Sequence, residues 1–87
     1  MNNYHYDFLV AEQLRNTLVQ VADTIYSENE KMRHNFESLN QTWKDDVYYE
    51  YRDKFKDADE TVKKIIQSIH QLNKAMIEYE RLMKESL

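Results

Sequence analysis

Apolar and aromatic side chains recur every seven residues through the first half of the chain. The series contains Tyr4, Ala11, Leu18, Ile25, Met32 and Leu39. The positions three residues further on are mixed: Asp7, Leu14, Val21, Glu28 and Asn35. Phe8 and Phe36 each follow a polar member of this second series and can cover its gaps. A seven-residue repeat of this kind is typical of α-helices that pack along one seam. It predicts a first helix over about residues 4–40.

A second series of the same kind occupies the other half of the chain. Its first positions are Tyr48, Phe55, Val62, Ile69, Met76 and Met83, and its companions three residues on are Tyr51, Ala58, Ile65, Leu72 and Tyr79. Its phase does not continue the first series, because Leu39 and Tyr48 are nine residues apart. The pattern therefore predicts a second helix over about residues 44–86 and a break between the two.

The break falls in residues 40–46, which are polar apart from Trp43. Thr42 and Asp45 have the spacing of a helix-capping box, and Asp45 and Asp46 suit the positive end of the next helix dipole. A connection this short returns the chain antiparallel. We therefore expect an all-α fold, a single domain of residues 1–87 that forms a hairpin of two long helices. One continuous rod is the alternative, because no residue in the break forbids helix.

Composition narrows the possibilities further. The chain has no glycine, proline or cysteine, although average usage predicts roughly ten glycines and prolines in this length. A disulfide framework and a thiolate metal site are therefore excluded. The net charge is −4 with both signs mixed, so nucleic acid is not an expected partner. The first residues do not resemble a signal peptide, and no apolar run approaches a membrane span of about 18 residues.

Apolar side chains also lie beside the two seams, at Phe8, Val10, Val47, Ile66, Ala75, Leu82 and Leu87. A stripe wider than one seam is typical of a helix with two neighbours. The sequence therefore predicts that the hairpin pairs into a four-helix bundle, with a stable monomeric hairpin as the alternative. The candidate partner-interface residues are Phe8, Val10, Tyr49, Ile66, Ala75 and Leu82.

Few residues suggest chemistry. His5, His34 and His70 are widely separated, and none follows a glutamate by three residues as in di-iron helical bundles. Glu28 is the one acid expected to point at the seam, and the other acids are expected on outer faces. We therefore predict no catalytic, cofactor-binding or metal-binding residues, and a protein that is not an enzyme.

Aromatic residues are the stronger signal, because tyrosine and tryptophan are enriched in interfaces. Tyr48 and Tyr51 are expected to pack within the hairpin, whereas Tyr49 should face outward toward a partner. Trp43 lies where the chain reverses. It is expected to wedge between the helix ends, with partner recognition as the other interpretation.

The segment from Leu39 to Val47, followed by Tyr51 and Phe55, resembles the WXG family of small type VII secretion proteins related to the early secretory antigenic target. In that family a Trp-x-Gly turn joins two long helices, a small or apolar residue follows, and an aromatic residue lies eight positions beyond it. The matching residues here are Trp43, Asp45, Val47 and Phe55. Asp45 replaces the glycine. The chain also lacks the C-terminal Tyr-x-x-x-Asp/Glu signal that is frequent in the family, since the residue four positions after Tyr79 is Met83 and not an acid.

The resemblance implies a non-enzymatic interaction protein of a Gram-positive type VII secretion system. Such a protein is secreted as a dimer, or acts as targeting partner or chaperone of a larger secreted helical protein, and its bundle is recognised by a secretion ATPase. It would be cytoplasmic before export and would leave the cell without a signal peptide. The alternative is a cytoplasmic structural or regulatory coiled-coil adaptor with no link to secretion.

Overall fold

The computed structural model describes residues 5–86 and consists of two helices. Helix α1 spans Phe8–Asn40 and helix α2 spans Asp46–Glu85, with 33 and 40 residues respectively. They pack against each other in an elongated hairpin of 64 × 22 × 20 Å. The expected all-α hairpin is confirmed, and the continuous rod is excluded because the chain reverses between Asn40 and Asp46. Two residues of the sequence patterns, Tyr4 and Leu87, lie outside the described residues.

Each helix begins at an aspartate cap. An Asp7 carboxylate oxygen accepts a hydrogen bond from the backbone N–H of Val10 at 3.1 Å, and Asp45 does the same for Tyr48 at 3.0 Å. An aspartate cap occupies a backbone donor that the helix itself leaves free. Helix α1 therefore begins at Phe8 rather than near residue 4, with Asp7 at its cap instead of on the seam.

The expected capping box at the start of α2 is not formed. Asp45 itself is the cap, whereas the Thr42 hydroxyl donates to the backbone carbonyl of Leu39 at 3.4 Å. The backbone N–H of Trp43 donates to the same carbonyl at 2.9 Å. These bonds close the last turn of α1, and Asp46 adds an acidic side chain to the first turn of α2, where the helix dipole favours it.

The seam of α2 follows an alternating spacing of three and four residues. Its buried or partly buried side chains are Tyr48, Arg52, Phe55, Asp59, Val62, Ile66, Ile69, Asn73, Met76, Glu80 and Met83. The predicted first series, from Tyr48 to Met83, is confirmed. The predicted companion series is wrong, because the second row of the seam lies four residues after each first position and not three.

Helix α1 shows the same arrangement. Its buried or partly buried positions include Phe8, Ala11, Arg15, Leu18, Ala22, Ile25, Asn29, Arg33 and Phe36. Phe8 and Phe36 cover the seam as expected. Glu28, predicted to point into the seam, is instead exposed and pairs with Lys31 at 3.2 Å on its own helix.

The interior of the hairpin is small. Among the described residues the fully buried apolar side chains are Ala11, Ala22 and Tyr48, and only Tyr48, at 2% exposure, is large. Many leucine, isoleucine and valine side chains remain about half exposed. Because full burial of such a side chain contributes about 1.5–3 kcal/mol, much of the apolar surface of the chain stabilises nothing in a single hairpin.

Aromatic rings close the turn end of the hairpin. Phe36 stacks on Phe55 with ring centroids 4.7 Å apart and on Tyr48 at 5.4 Å. The partly buried Trp43 meets Tyr48 and Tyr51 edge-to-face, at 5.6 and 5.7 Å. These are the preferred geometries of aromatic pairs. Trp43 therefore packs against the first turns of α2, at the point where the chain reverses.

Truncation of Trp43 tests this packing. We expect Trp43→Ala to lower the free energy of unfolding by about 2 kcal/mol, less than a fully buried aromatic because the ring is only partly covered. Chemical denaturation followed by circular dichroism at one fixed protein concentration measures the change. Tyr26→Ala is the control, since Tyr26 is 58% exposed on α1 and should cost below about 0.5 kcal/mol. Equal losses for both variants would contradict the packing role.

Candidate interaction surface

Polar side chains join the two helices along one face of the hairpin. The Arg15 Nε atom lies 2.8 Å from Glu80 Oε2. Asn29 Nδ2 donates to Asp59 Oδ1 at 2.6 Å, and Arg33 Nη2 donates to the same oxygen at 3.1 Å. Glu80 is 4% exposed and Asn29 3%. We call the side of the hairpin that carries these contacts the polar face.

Helix geometry determines which residues lie on the side of the hairpin opposite the polar face. Arg15 and Asn29 lie four residues after first-series positions of α1, and Asp59 and Glu80 lie four residues after first-series positions of α2. Since these two rows meet across the helices, they share a face. Side chains three residues after each first-series position then flank the seam on its other side, in both helices. The rows that the sequence had placed in the seam therefore lie together on one outer face.

This outer face is apolar, and we call it the apolar face. Its members, all exposed, are Leu14 and Val21 of α1 with Tyr51, Ala58, Ile65, Leu72 and Tyr79 of α2. Exposure of the large side chains ranges from 43% at Val21 to 51% at Tyr79. Met32 and Leu39, which the sequence assigned to the first series of α1, are also about half exposed. Exposed apolar patches larger than a few hundred Å² are uncommon on monomeric proteins, so this face is the candidate interaction surface.

Charge is nearly absent from the α2 part of this surface. The row bordering the apolar face on α2 contains Val47, Lys54, Thr61, Ser68, Ala75 and Leu82, in which Lys54 is the one charged residue. On α1, Glu28 and Asn35 interrupt the apolar row toward the turn, and the Glu28 carboxylate pairs with Lys31. A partner can therefore cover the face without burying much uncompensated charge.

The candidate interface residues divide between the surfaces. Val10, Ala75 and Leu82 are exposed at positions that border the apolar face. Phe8 and Ile66 are partly buried between the helices and so offer less surface to a partner. Tyr49 is exposed as expected, but on the polar side, with the Arg52 guanidinium 4.9 Å above its ring.

Only some of the residues of the family-like turn pattern lie close together in the structure. Phe55 stacks within the aromatic cluster, whereas Val47 is exposed, and Tyr51 is 47% exposed although it was expected inside. Hydrogen bonds from the Tyr48 backbone and then the Trp43 side chain hold the pKa of Asp45 below its ordinary value. Asp45 has φ −94° and ψ −179°. The backbone is extended there, so no left-handed conformation requires glycine.

Two acids in the seam were missed by sequence reasoning, Asp59 and Glu80. The pKa of Asp59 is lowered to about 2, first by the hydrogen bond from Asn29 and then by those from Lys63 and Arg33. The signal lay in the row four residues after each first position of α2, which between residues 52 and 80 contains Arg52, Asp59, Asn73 and Glu80 and one apolar residue, Ile66. The matching row of α1 supplies Asn29, the hydrogen-bond donor to Asp59.

Histidine and acidic side chains are the remaining candidates for chemistry in this chain. His5, His34 and His70 are all exposed. Across residues 5–86, no group of three or more histidine, aspartate or glutamate side chains is arranged to hold a metal ion. Neither α1 nor α2 contains an apolar stretch long enough to cross a membrane.

Comparison of the chain with protein-family models, curated protein sequences and solved structures gave no significant match. Functional inference therefore rests on the geometry of the hairpin itself, on its apolar and polar faces and on its turn.

The Asp59 hydrogen bonds predict an acid-sensitive hairpin. The folded-state pKa of about 2 lies below the ordinary value of about 3.9. The stabilisation that the ionised Asp59 carboxylate provides is therefore present above about pH 4 and lost as the pH falls toward 2. We expect wild type to lose at most about 2 kcal/mol through this group, and Asp59→Asn to lose correspondingly less over the same interval.

Urea titrations at several pH values between neutrality and pH 2 measure this loss at one protein concentration. Asp57→Asn is the matched control, because Asp57 is exposed on the same helix and should leave the pH dependence of wild type unchanged. Identical pH dependence in wild type and Asp59→Asn would show that Asp59 does not stabilise the fold.

Proposed function

We propose that this chain is a non-enzymatic protein-interaction module whose apolar face is covered by a second helical hairpin, giving a four-helix bundle. The observation that carries the proposal is the apolar face, which spans both helices and has few charges. Residues such as Leu72, at 49% exposure, and Ile65, at 47%, have no cover in a single hairpin. Covering them supplies the apolar burial that the small interior lacks.

The shape of the face favours a hairpin as its partner. On α2 it extends from Tyr51 to Tyr79, and near the open end Leu14 and Val21 of α1 lie beside it, so one further helix would leave part of it exposed. A second copy of the chain fits the charge pattern as well, because an isologous contact joins two surfaces with few charges. A different hairpin protein with a similar face would give a heterodimer of the same architecture.

We further propose a Gram-positive type VII secretion system as the setting, on the resemblance of the turn. The packing of Trp43 and the capping by Asp45 support this, because an extended Asp45 can stand where the family has glycine. The chain would then be secreted as a dimer or act as targeting partner or chaperone of a larger secreted helical protein. It would be cytoplasmic before a secretion ATPase recognises the bundle, and would be exported without a signal peptide.

One observation favours a different setting. Tyr79 is followed four residues later by Met83 and not by an acid, so the family's frequent export signal is absent from this position. A cytoplasmic structural or regulatory coiled-coil adaptor would need the same apolar face but no such signal. Genes that neighbour the coding sequence discriminate the two, since a secretion ATPase gene beside it is expected only under the secretion proposal.

A charge on the apolar face should disrupt the bundle. We expect wild type to be a dimer, and Leu72→Glu to shift it to monomer and lower its thermal stability, because the bundle would bury an unpaired carboxylate. The matched control is Ile77→Glu. Ile77 is 47% exposed on the same helix, but it lies one residue after Met76 and so on the polar side.

Light scattering on size-separated protein gives the mass of each variant. A dimer that survives Leu72→Glu, or that is lost equally in Ile77→Glu, would show that the apolar face is not the interface. A monomeric wild type whose helicity and stability rise on adding a second hairpin protein would instead establish the heterodimer.

The secretion proposal predicts a phenotype. Deleting the gene should reduce export of at least one type VII substrate, and the protein should appear outside the cell or bound to an exported partner. Quantitative mass spectrometry of culture supernatants and of affinity-purified complexes measures both. Unchanged export of every substrate, together with a protein found only inside cells without an exported partner, would favour the coiled-coil adaptor.

A further inference from the structure

The polar face carries a pocket at the turn end of the hairpin. Its volume is about 280 Å³, and both helices line it. Phe36, Tyr48 and Phe55 contribute aromatic surface, and Arg33, Arg52 and Lys56 contribute cations. The volume is close to the lower limit for small-ligand sites. It matches the size of one or two amino-acid side chains.

The aromatic part of the pocket is formed by stacked rings. Phe36 and Phe55 stack with an angle of 2° between their ring planes, and Phe36 also stacks on Tyr48. Because Tyr48 is almost completely buried, this stack is anchored in the interior of the hairpin. The pocket therefore offers a preformed apolar surface, which lowers the entropic cost of binding a ligand.

The three cationic side chains of the pocket differ in how far acids of the hairpin already pair with them. Arg33 is held by Asp59 and Glu30. Arg52 Nη2 lies 3.6 Å from Asp53 Oδ1, beyond hydrogen-bond distance, and the guanidinium lies over the Tyr49 ring. Within the described chain, Lys56 forms no ion pair. The α2 side of the pocket thus has two cationic groups with unused hydrogen-bonding capacity.

The acids that line the pocket do not satisfy these cations. Asp59 already accepts hydrogen bonds from Asn29 and Arg33 and pairs with Lys63 at 3.1 Å. Glu37 lies on α1 and acts electrostatically on Arg33. Arg52 and Lys56 therefore favour a carboxylate supplied from outside the hairpin, because arginine and lysine form their strongest hydrogen bonds with such groups.

We propose that this turn-end pocket binds an acidic side chain of a partner protein, with a neighbouring aromatic side chain of that partner lying on the Phe36–Phe55 stack. Arg52 and Lys56 bind the carboxylate. The pocket is on the face opposite the apolar face, so it stays open when a second hairpin covers the apolar face. This inference does not depend on the proposed function, and a monomer would bind as well as a dimer.

Blocked dipeptides test the proposal. The probe is acetyl-Glu-Phe-amide, and acetyl-Gln-Phe-amide is its neutral counterpart of nearly the same shape. Titration into isotope-labelled full-length protein, followed by NMR, should shift the backbone amides of Arg52, Phe55 and Lys56. We expect saturation with a dissociation constant on the order of 1 mM, and binding of the Gln dipeptide that is at least about fivefold weaker.

Matched variants locate the site. Arg52→Gln and Lys56→Gln should each weaken binding of the Glu dipeptide about three- to tenfold, while circular dichroism stays that of the wild-type fold. Lys74→Gln is the control, since Lys74 is exposed on the same helix outside the pocket and should leave the affinity unchanged. Raising the salt concentration should weaken binding of the Glu dipeptide more than that of the Gln dipeptide.

Three results would overturn the proposal. Equal affinity for the two dipeptides would remove the role of the carboxylate. Shifts that centre on Ile65 and Leu72 would place the ligand on the apolar face instead. No saturable shift up to about 10 mM, or the same shifts with inorganic phosphate alone, would show that the pocket does not recognise an acidic peptide.

Discussion

The cross-helix hydrogen bonds of Asp59 determine how the two helices are rotated about their axes. Asn29 and Arg33 of α1 both donate to this carboxylate, and the ion pair of Arg15 with Glu80 repeats the arrangement near the open end. Arg15, Asn29, Asp59 and Glu80 all lie four residues after a first-series position, so their contacts require these rows to face the other helix. Once these rows face inward on one side, the more apolar rows must face outward on the other. The polar contacts inside the hairpin and the apolar surface outside it are therefore consequences of one rotation.

This rotation assigns different roles to the polar and apolar rows of a hairpin whose own interior is small. In a four-helix bundle every helix has a neighbour within its own hairpin and a second one across the bundle. The polar row then sets register and rotation within the hairpin, where its charges are mutually paired. In the proposed bundle the apolar row would provide most of the burial, in the contact between hairpins. Such a division would make folding of the chain depend strongly on association, as it does in obligate dimers.

The sequence predicted the architecture but not the rotation. The seven-residue repeats and the phase change near Trp43 were sufficient for two helices and their break, because periodicity reports directly which positions share a helix face. Rows three and four residues after a first-series position lie about equally far from it around the helix. Hydrophobicity alone favoured the row of Ile65 and Leu72. The pairing of Asp59 with Asn29 reversed that choice, and such a pairing depends on how the helices align, which one sequence does not reveal.

The central claim is that a second hairpin covers the apolar face, and contacts between chains test it most directly. Isotope-filtered NMR on a mixture of labelled and unlabelled protein detects side-chain contacts between different copies. The account predicts intermolecular contacts at the methyl groups of Val21, Ile65 and Leu72, and none at Ile77. Intermolecular contacts at Ile77 without any at Ile65 and Leu72, or no contacts between chains in a stably folded protein, would contradict it.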